Sequence, residues 1–260
     1  MSKELKVAII QTELAWENPE ENRRLLSYKI DAILSAVDVI VLPEMFTSGF
    51  TMNPSVVAET MEGETLNWLR SKAKQRQALI MGSLVISENN KFYNRMVCVE
   101  PSGIITTYDK RHTFTLAGEH KVYTAGTEKV ILNYKDWKIC PLVCYDLRFP
   151  VWARNTENYD LLIYVANWPK VRISAWDALL KARAIENMTY CIGVNRVGLD
   201  GNKHQYCGHS VAYDVLGNRM DNLPDNKEAT EIVILDKGAI TKYREKLNFL
   251  NDRDKFSLEV

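Results

Sequence analysis

Two short runs of this chain are apolar almost throughout and then end on a reactive side chain: Asp38-Val-Ile-Val-Leu-Pro43 leads into Glu44, and Lys138-Ile-Cys-Pro-Leu-Val143 leads into Cys144. A strand with one face in water alternates apolar and polar residues. A strand apolar along its whole length is buried on both faces, which requires a parallel or mixed sheet covered by helices or by another sheet. Similar runs at 7–11, 78–86, 92–99, 161–165, 190–195, 210–214, 231–235 and 129–132 read as further strands. Between the first two strands, Leu25, Leu26, Ile30, Ile33 and Leu34 recur at helical spacing behind Pro19, which predicts a helix over 19–36 and a β-α-β start. Second and third helices are expected over 64–77 and 174–188. Asn89-Asn90 and Pro101-Ser102-Gly103 are turn formers, so the strands between residues 92 and 108 pair as hairpins and the sheets are mixed. The pattern is that of one layered α/β sandwich with helices on its outer faces. The polar segment 221–230 is the best place for a loop to a C-terminal extension.

Length and charge narrow the class of partner. A chain of 260 residues suits one large domain with a core able to hold a site rigidly. Lys plus Arg and Asp plus Glu both number 33, so no net charge draws the protein to nucleic acid. The longest apolar stretches fall far short of the roughly 20 residues that cross a bilayer, and the first apolar run is too short for a signal peptide. Five cysteines, at 98, 140, 144, 191 and 207, are an odd number placed mostly inside apolar runs. They fit reduced thiols better than a disulfide framework, and the expectation is a cytoplasmic protein without a membrane partner.

Cys144 stands where a buried strand runs out, a position that can present a thiol to a cleft with the Tyr145 backbone N–H free to donate to an oxyanion. Taken alone, a cysteine is better read as a core residue, and Cys140 inside the strand is read as one. Glu44 holds the matching place after its own strand, where burial raises a carboxylate toward the range useful for proton transfer, although taken alone it is better read as a loop cap or as the partner of an Arg. Lys110, in Tyr108-Asp-Lys-Arg-His112, is either solvated surface or a fixed ammonium that favours a thiolate and then an oxyanion. Arg148 could pair with a carboxylate of a ligand, or with Asp146 or Glu186. Tyr145 and Trp168 could wall a small pocket.

Leu-Pro-Glu44, Tyr-Asp-Lys110-Arg-His and Cys144-Tyr-Asp-Leu-Arg-Phe-Pro together resemble, in that order, the three signature segments of the nitrilase or carbon–nitrogen hydrolase superfamily. The resemblance runs from Val7 to about Leu235. Through Tyr164-Val-Ala-Asn-Trp-Pro169, Ala182-Arg-Ala-Ile-Glu-Asn187 and Asn195-Arg-Val-Gly198 it is most similar to the omega-amidase (2-oxoglutaramate amidase) group. It implies a four-layer αββα sandwich with two mixed sheets, spanning 1–236 as one domain, with 237–260 as a C-terminal extension in subunit contacts. It also implies a homodimer or higher homo-oligomer, a small-molecule amide substrate, no metal and no cofactor. Glu44, Lys110 and Cys144 match the family's catalytic triad, and Glu119 matches a second glutamate that supports the lysine. Asn167 and Trp168 join Tyr145 and Arg148 as expected substrate-binding residues. Four other readings remain beside this one: a nitrilase-family hydrolase of another small amide or of a nitrile, a Cys-His hydrolase using His112 or His209, a metal site from Cys207, His204 and His209, and an inactive binding protein of the same fold. The Arg183/Glu186 pair reads as structural support.

Overall fold

Alternation along the strands sorts their side chains between two cores. In the computed structural model, which describes residues 4–259, β1 (Glu4–Gln11) sends Leu5, Val7 and Ile9 to one side and Ala8 and Ile10 to the other. A short parallel strand, β2 (Val39–Val41), repeats the division with Val39 and Val41 against Ile40. Between them α1 (Pro19–Asp31) starts on Pro19 with the Asn18 side chain accepting from the Glu21 N–H, and buries Leu26 and Ile30. It ends five residues before the predicted boundary. Leu34 is almost wholly exposed, so no apolar burial extends the helix to it, and Arg76 donates to the freed Ile33 carbonyl at 2.6 Å.

After a single-turn helix, α2 (Pro54–Val57), comes α3 (Glu64–Arg76), which lays Leu66, Leu69 and Ala73 on the same outer core as α1. The chain then meanders through β3 (Leu79–Glu88), β4 (Lys91–Val99) and β5 (Ile105–Asp109). The two-residue turn joining β3 to β4 is Asn89-Asn90, both left-handed, the geometry that matches strand twist and that asparagine tolerates. The second sheet is built from β6 (Leu132–Tyr134), β7 (Trp137–Val143), β8 (Leu161–Ala166) and β9 (Tyr190–Asn195). The first of these starts three residues later than predicted, because a hairpin turn at Lys135-Asp136 sets the register Leu132↔Ile139 and Tyr134↔Trp137. Two helices accompany these strands, the short α4 (Pro150–Ala153) and the long α5 (Ile173–Asn187). A small hairpin not foreseen, β10 (Val197–Leu199) with β11 (Gln205–Cys207), precedes β12 (Val211–Tyr213), β13 (Ala229–Asp236) and α6 (Lys237–Leu247).

One sheet has the order β13-β1-β2-β3-β4-β5 and the other β12-β9-β8-β7-β6, both mixed. Their inner faces share a core in which Val7, Val39 and Met81 meet residues such as Ile139 and Ile163. The first sheet carries α1 and α3 outside. Behind the second, α5 packs so closely that a Cβ on Gly193 would lie 2.4 Å from Leu180 Cδ1. This is the expected four-layer αββα sandwich. Segment 221–230 leads into β13, which pairs with β1 along its full length. Beyond it, α6 buries Ile240 and Arg244 donates to the carbonyls of Tyr159 and Met188.

Candidate active site

Two turns leave parallel strands on the two sheets and face each other. Glu44 follows β2 and Cys144 follows β7, as their apolar runs imply. At both turns a residue other than glycine adopts the left-handed conformation, Met45 (φ 43) in one and Cys144 itself (φ 45) in the other. Such conformations cost on the order of 1–3 kcal/mol each and persist where surrounding bonds impose them. At the first turn, the Met45 N–H donates to Ser83 Oγ at 2.8 Å. At the second, the Val143 N–H donates to Asp146 Oδ2 at 3.0 Å.

Six buried polar side chains, Glu44, Ser83, Asn94, Lys110, Glu119 and Asn167, form one network. Lys110 Nζ donates to Glu44 Oε1 at 2.9 Å and to both Glu119 oxygens at 2.9 and 3.0 Å. Asn94 Nδ2 donates to Glu44 Oε1 at 2.8 Å and to Glu119 Oε1 at 3.2 Å, while its Oδ1 accepts from Ser83. The other Glu44 oxygen accepts from the Asn167 N–H at 2.8 Å, and Asn167 Nδ2 donates to the Glu44 carbonyl at 2.6 Å. Glu44 is thereby held at both carboxylate oxygens and at its own backbone. The Phe114 N–H adds a bond to Glu119 Oε2.

Burial would push the Lys110 ammonium down, but the Glu119 and Glu44 carboxylates outweigh it and hold the charge above the ordinary lysine value. Glu119 is raised, first by burial and then by Glu44, with Lys110 opposing. The Cys144 thiol is pushed well above the usual cysteine range, by burial first and then by Glu44, with Lys110 pulling the other way. The resting cysteine therefore carries its proton, beside a carboxylate placed to take it.

A third buried carboxylate ties the lysine strand to the cysteine turn. Asp146 Oδ1 accepts from the His112 N–H at 2.9 Å and lies 2.8 Å from His112 Nδ1. Its Oδ2 accepts from the Tyr108 hydroxyl at 2.7 Å as well as from Val143. His112 also stacks on Phe149 at 3.6 Å, and His209 lies between Asp177 and Asp225. Both imidazoles proposed for a Cys-His hydrolase thus have carboxylate partners elsewhere. His204 pairs with Asp200 rather than with Cys207 or His209, and no cluster of three metal-binding side chains occurs among the described residues. Arg183 bonds Glu186 and, at 2.6 Å, the Leu147 carbonyl, which steadies the turn after Cys144.

Cys144 lies in a cleft of about 320 Å³. Tyr145, Arg148, Asn167 and Trp168 all line it, so the structure gathers every sequence-predicted substrate residue at one opening. The Tyr145 ring packs edge-on against Phe114 and Phe149. The Arg148 guanidinium lies over the Trp168 ring, 5.1 Å from its centroid, and pairs with neither Asp146 nor Glu186. Sequence reasoning missed Asn94, Ser83 and Arg172. The first two sit on the inward face of their strands beside Met96 and Met81, and a polar residue at such a position was the available signal.

Comparison with known proteins agrees with this geometry. A family profile described as Carbon-nitrogen hydrolase matches residues 6–245. The omega-amidase YafV of Escherichia coli is 45% identical over 255 residues, covering 98% of each chain. The 2-oxoglutaramate amidase of Bacillus subtilis is 32% identical, over 81% of this chain and 83% of that one. A superfamily protein of Xanthomonas campestris, solved with an arsenic adduct in its active site, superposes with a TM-score of 0.96 at 37% identity, covering 98% of this chain and 99% of that one.

Proposed function

The chain belongs to the carbon–nitrogen hydrolase family, and on that premise we propose that it is an omega-amidase. It hydrolyses the terminal amide of short dicarboxylic acid monoamides, such as 2-oxoglutaramate, 2-oxosuccinamate and succinamate, to acid and ammonia through a thioester on Cys144. One juxtaposition carries the reading: the Cys144 thiol beside a buried, immobilised Glu44, in a cleft that also holds Arg148, which among the described residues pairs with no carboxylate. The names of the similar Escherichia coli and Bacillus subtilis proteins support it.

In the proposed cycle Glu44 takes the Cys144 proton as sulfur attacks the amide carbon. The oxyanion meets the Lys110 ammonium and the Tyr145 N–H, which stands in the first turn of the 3₁₀ segment Cys144–Arg148 where no earlier turn supplies an acceptor. Glu44 returns the proton to nitrogen, the carbon–nitrogen bond breaks and ammonia leaves. The same carboxylate then takes a proton from water as its oxygen attacks the thioester, the carbon–sulfur bond breaks, and the proton returns to sulfur. Glu119 acts by holding Lys110 charged and in place. Arg148 takes the carboxylate at the far end of the substrate, with Tyr145, Asn167 and Trp168 shaping the cleft.

The proposal extends to a cytoplasmic homodimer or larger homo-oligomer in which 237–260 contributes contacts. Phe249, Phe256 and Leu258 stand exposed there, available for burial by another copy. No helix among the described residues is long and apolar enough to cross a membrane.

The test is steady-state ammonia release from 2-oxoglutaramate, 2-oxosuccinamate, succinamate, glutamine and asparagine. The first three should lead. Preference for glutamine or asparagine would end the assignment, and silence across the panel with Cys144 inert to iodoacetamide would mark a binding protein.

A further inference from the structure

The cleft holds a second guanidinium without a counter-ion. Arg172 lines it alongside Arg148, and among the described residues neither side chain pairs with a carboxylate. Both are nevertheless held. Arg148 lies over Trp168, and Arg172 lies over Phe114, 5.1 Å from the ring centroid. The two arginine sites are linked, because Trp168, which lies under Arg148, donates its Nε1–H to the Arg172 carbonyl at 2.8 Å.

The oxygens of Asp200, the one carboxylate residue on the lining among the described residues, are already occupied. Its Oδ1 accepts from the N–H groups of Asn202 and His204, both at 2.9 Å. Its Oδ2 accepts from the Tyr206 hydroxyl at 2.9 Å and lies 3.2 Å from His204 Nδ1. Two guanidiniums against one carboxylate, whose oxygens are already occupied by donors, leave the cleft with an excess of positive charge that favours an anionic ligand and disfavours a cationic one.

We propose that Arg172 is a specificity-determining residue that shares the substrate's distal carboxylate with Arg148 and repels an α-ammonium group. The inference rests on the omega-amidase reading and deepens it. A 2-oxo acid monoamide offers the two guanidiniums a carboxylate with a neutral carbonyl beside it. Glutamine offers the same carboxylate with an ammonium in the carbonyl's place, and that charge meets two guanidiniums against a single carboxylate, Asp200, whose oxygens are already occupied. Discrimination between the 2-oxo and 2-amino forms of one skeleton then follows from charge rather than from size, which a small open cleft could not supply.

Arg172→Gln and Arg172→Lys test this against four amides of one chain length: 2-oxoglutaramate, glutarate monoamide, glutamine and neutral pentanamide. Loss of a charged partner is worth about tenfold or more in affinity. Arg172→Gln should raise KM at least tenfold for both carboxylated amides that lack an ammonium. It should leave kcat/KM for pentanamide within twofold and narrow the preference for 2-oxoglutaramate over glutamine. Arg172→Lys should restore most of that preference. Equal losses on pentanamide and glutarate monoamide, or an unchanged ratio of 2-oxoglutaramate to glutamine, would overturn the role of Arg172 while leaving the omega-amidase reading intact. A wild-type enzyme that prefers pentanamide or glutamine to 2-oxoglutaramate overturns both.

Discussion

Asp146→Asn changes one atom in a buried carboxylate that never meets the proposed substrate, yet it should weaken both fold and catalysis. The carboxylate receives four donors: the N–H groups of His112 and Val143, the Tyr108 hydroxyl and the His112 ring nitrogen. An asparagine offers one oxygen. With that oxygen facing His112, its NH₂ points at the Val143 N–H and the Tyr108 hydroxyl. The hydroxyl cannot readily turn to accept, because it already accepts from Trp152 Nε1 at 3.0 Å and from the Arg111 N–H at 3.2 Å. An orphaned buried N–H costs about 1–3 kcal/mol, and a lost bond to a charged acceptor about 1.5–3. The sum expected is about 3–5 kcal/mol, the range seen when a buried charged partner is removed. Because Tyr108 and His112 bracket Lys110, and Val143 precedes Cys144, the variant that remains folded should also lose at least tenfold in kcat with a smaller change in KM. Urea unfolding followed by fluorescence gives the first number and ammonia release at saturating amide gives the second. A stability change under 1 kcal/mol with kcat within twofold of wild type would refute the idea that this carboxylate joins the two catalytic segments.

Glu44→Gln should lower kcat by about 10²–10⁴ with little change in KM, the range for loss of a general base, as measured by ammonia release. Since the Cys144 thiol is held well above its usual range, its thiolate fraction should still be rising at pH 9. Iodoacetamide alkylation of the free enzyme should therefore climb with pH through that point, and a plateau below pH 7 would contradict it. Gly126 is a position where only hydrogen fits: its N–H donates to the Lys110 carbonyl at 2.9 Å, and a Cβ would lie 2.2 Å from the Asp109 carbonyl oxygen. Gly126→Ala should cost about 1–3 kcal/mol in thermal or urea unfolding and lower kcat by displacing Lys110.

The strands carrying chemistry were legible because their two-sided burial leaves a plain mark, an unbroken apolar run that stops at Glu44 or Cys144. Lys110 and Glu119 were not legible in that way. Each lies in a polar segment indistinguishable from surface, and their burial depends on a carboxylate or ammonium brought from another part of the chain. The resemblance to a family located them. Asn94 carries a local signal, an amide on the inward face of an apolar strand, but its use requires knowing that Glu44 and Glu119 both lie within reach. Arg172 has no sequence mark at all. Its significance lies in the absence of a carboxylate paired with it among the described residues, a property of the folded cleft. The helix over 19–36 was overdrawn for a related reason: Leu34 keeps helical spacing, but nothing in the fold covers it.

The central claim, that an amide is opened by Cys144 through a thioester, is tested most directly by quenching the enzyme during turnover of 2-oxoglutaramate and weighing the intact protein. A covalent increment equal to the acyl group, mapped to the peptide containing Cys144 and absent from Cys144→Ala, is the expected result. Continued ammonia release from Cys144→Ala, or an acyl group mapped to another residue, would contradict it.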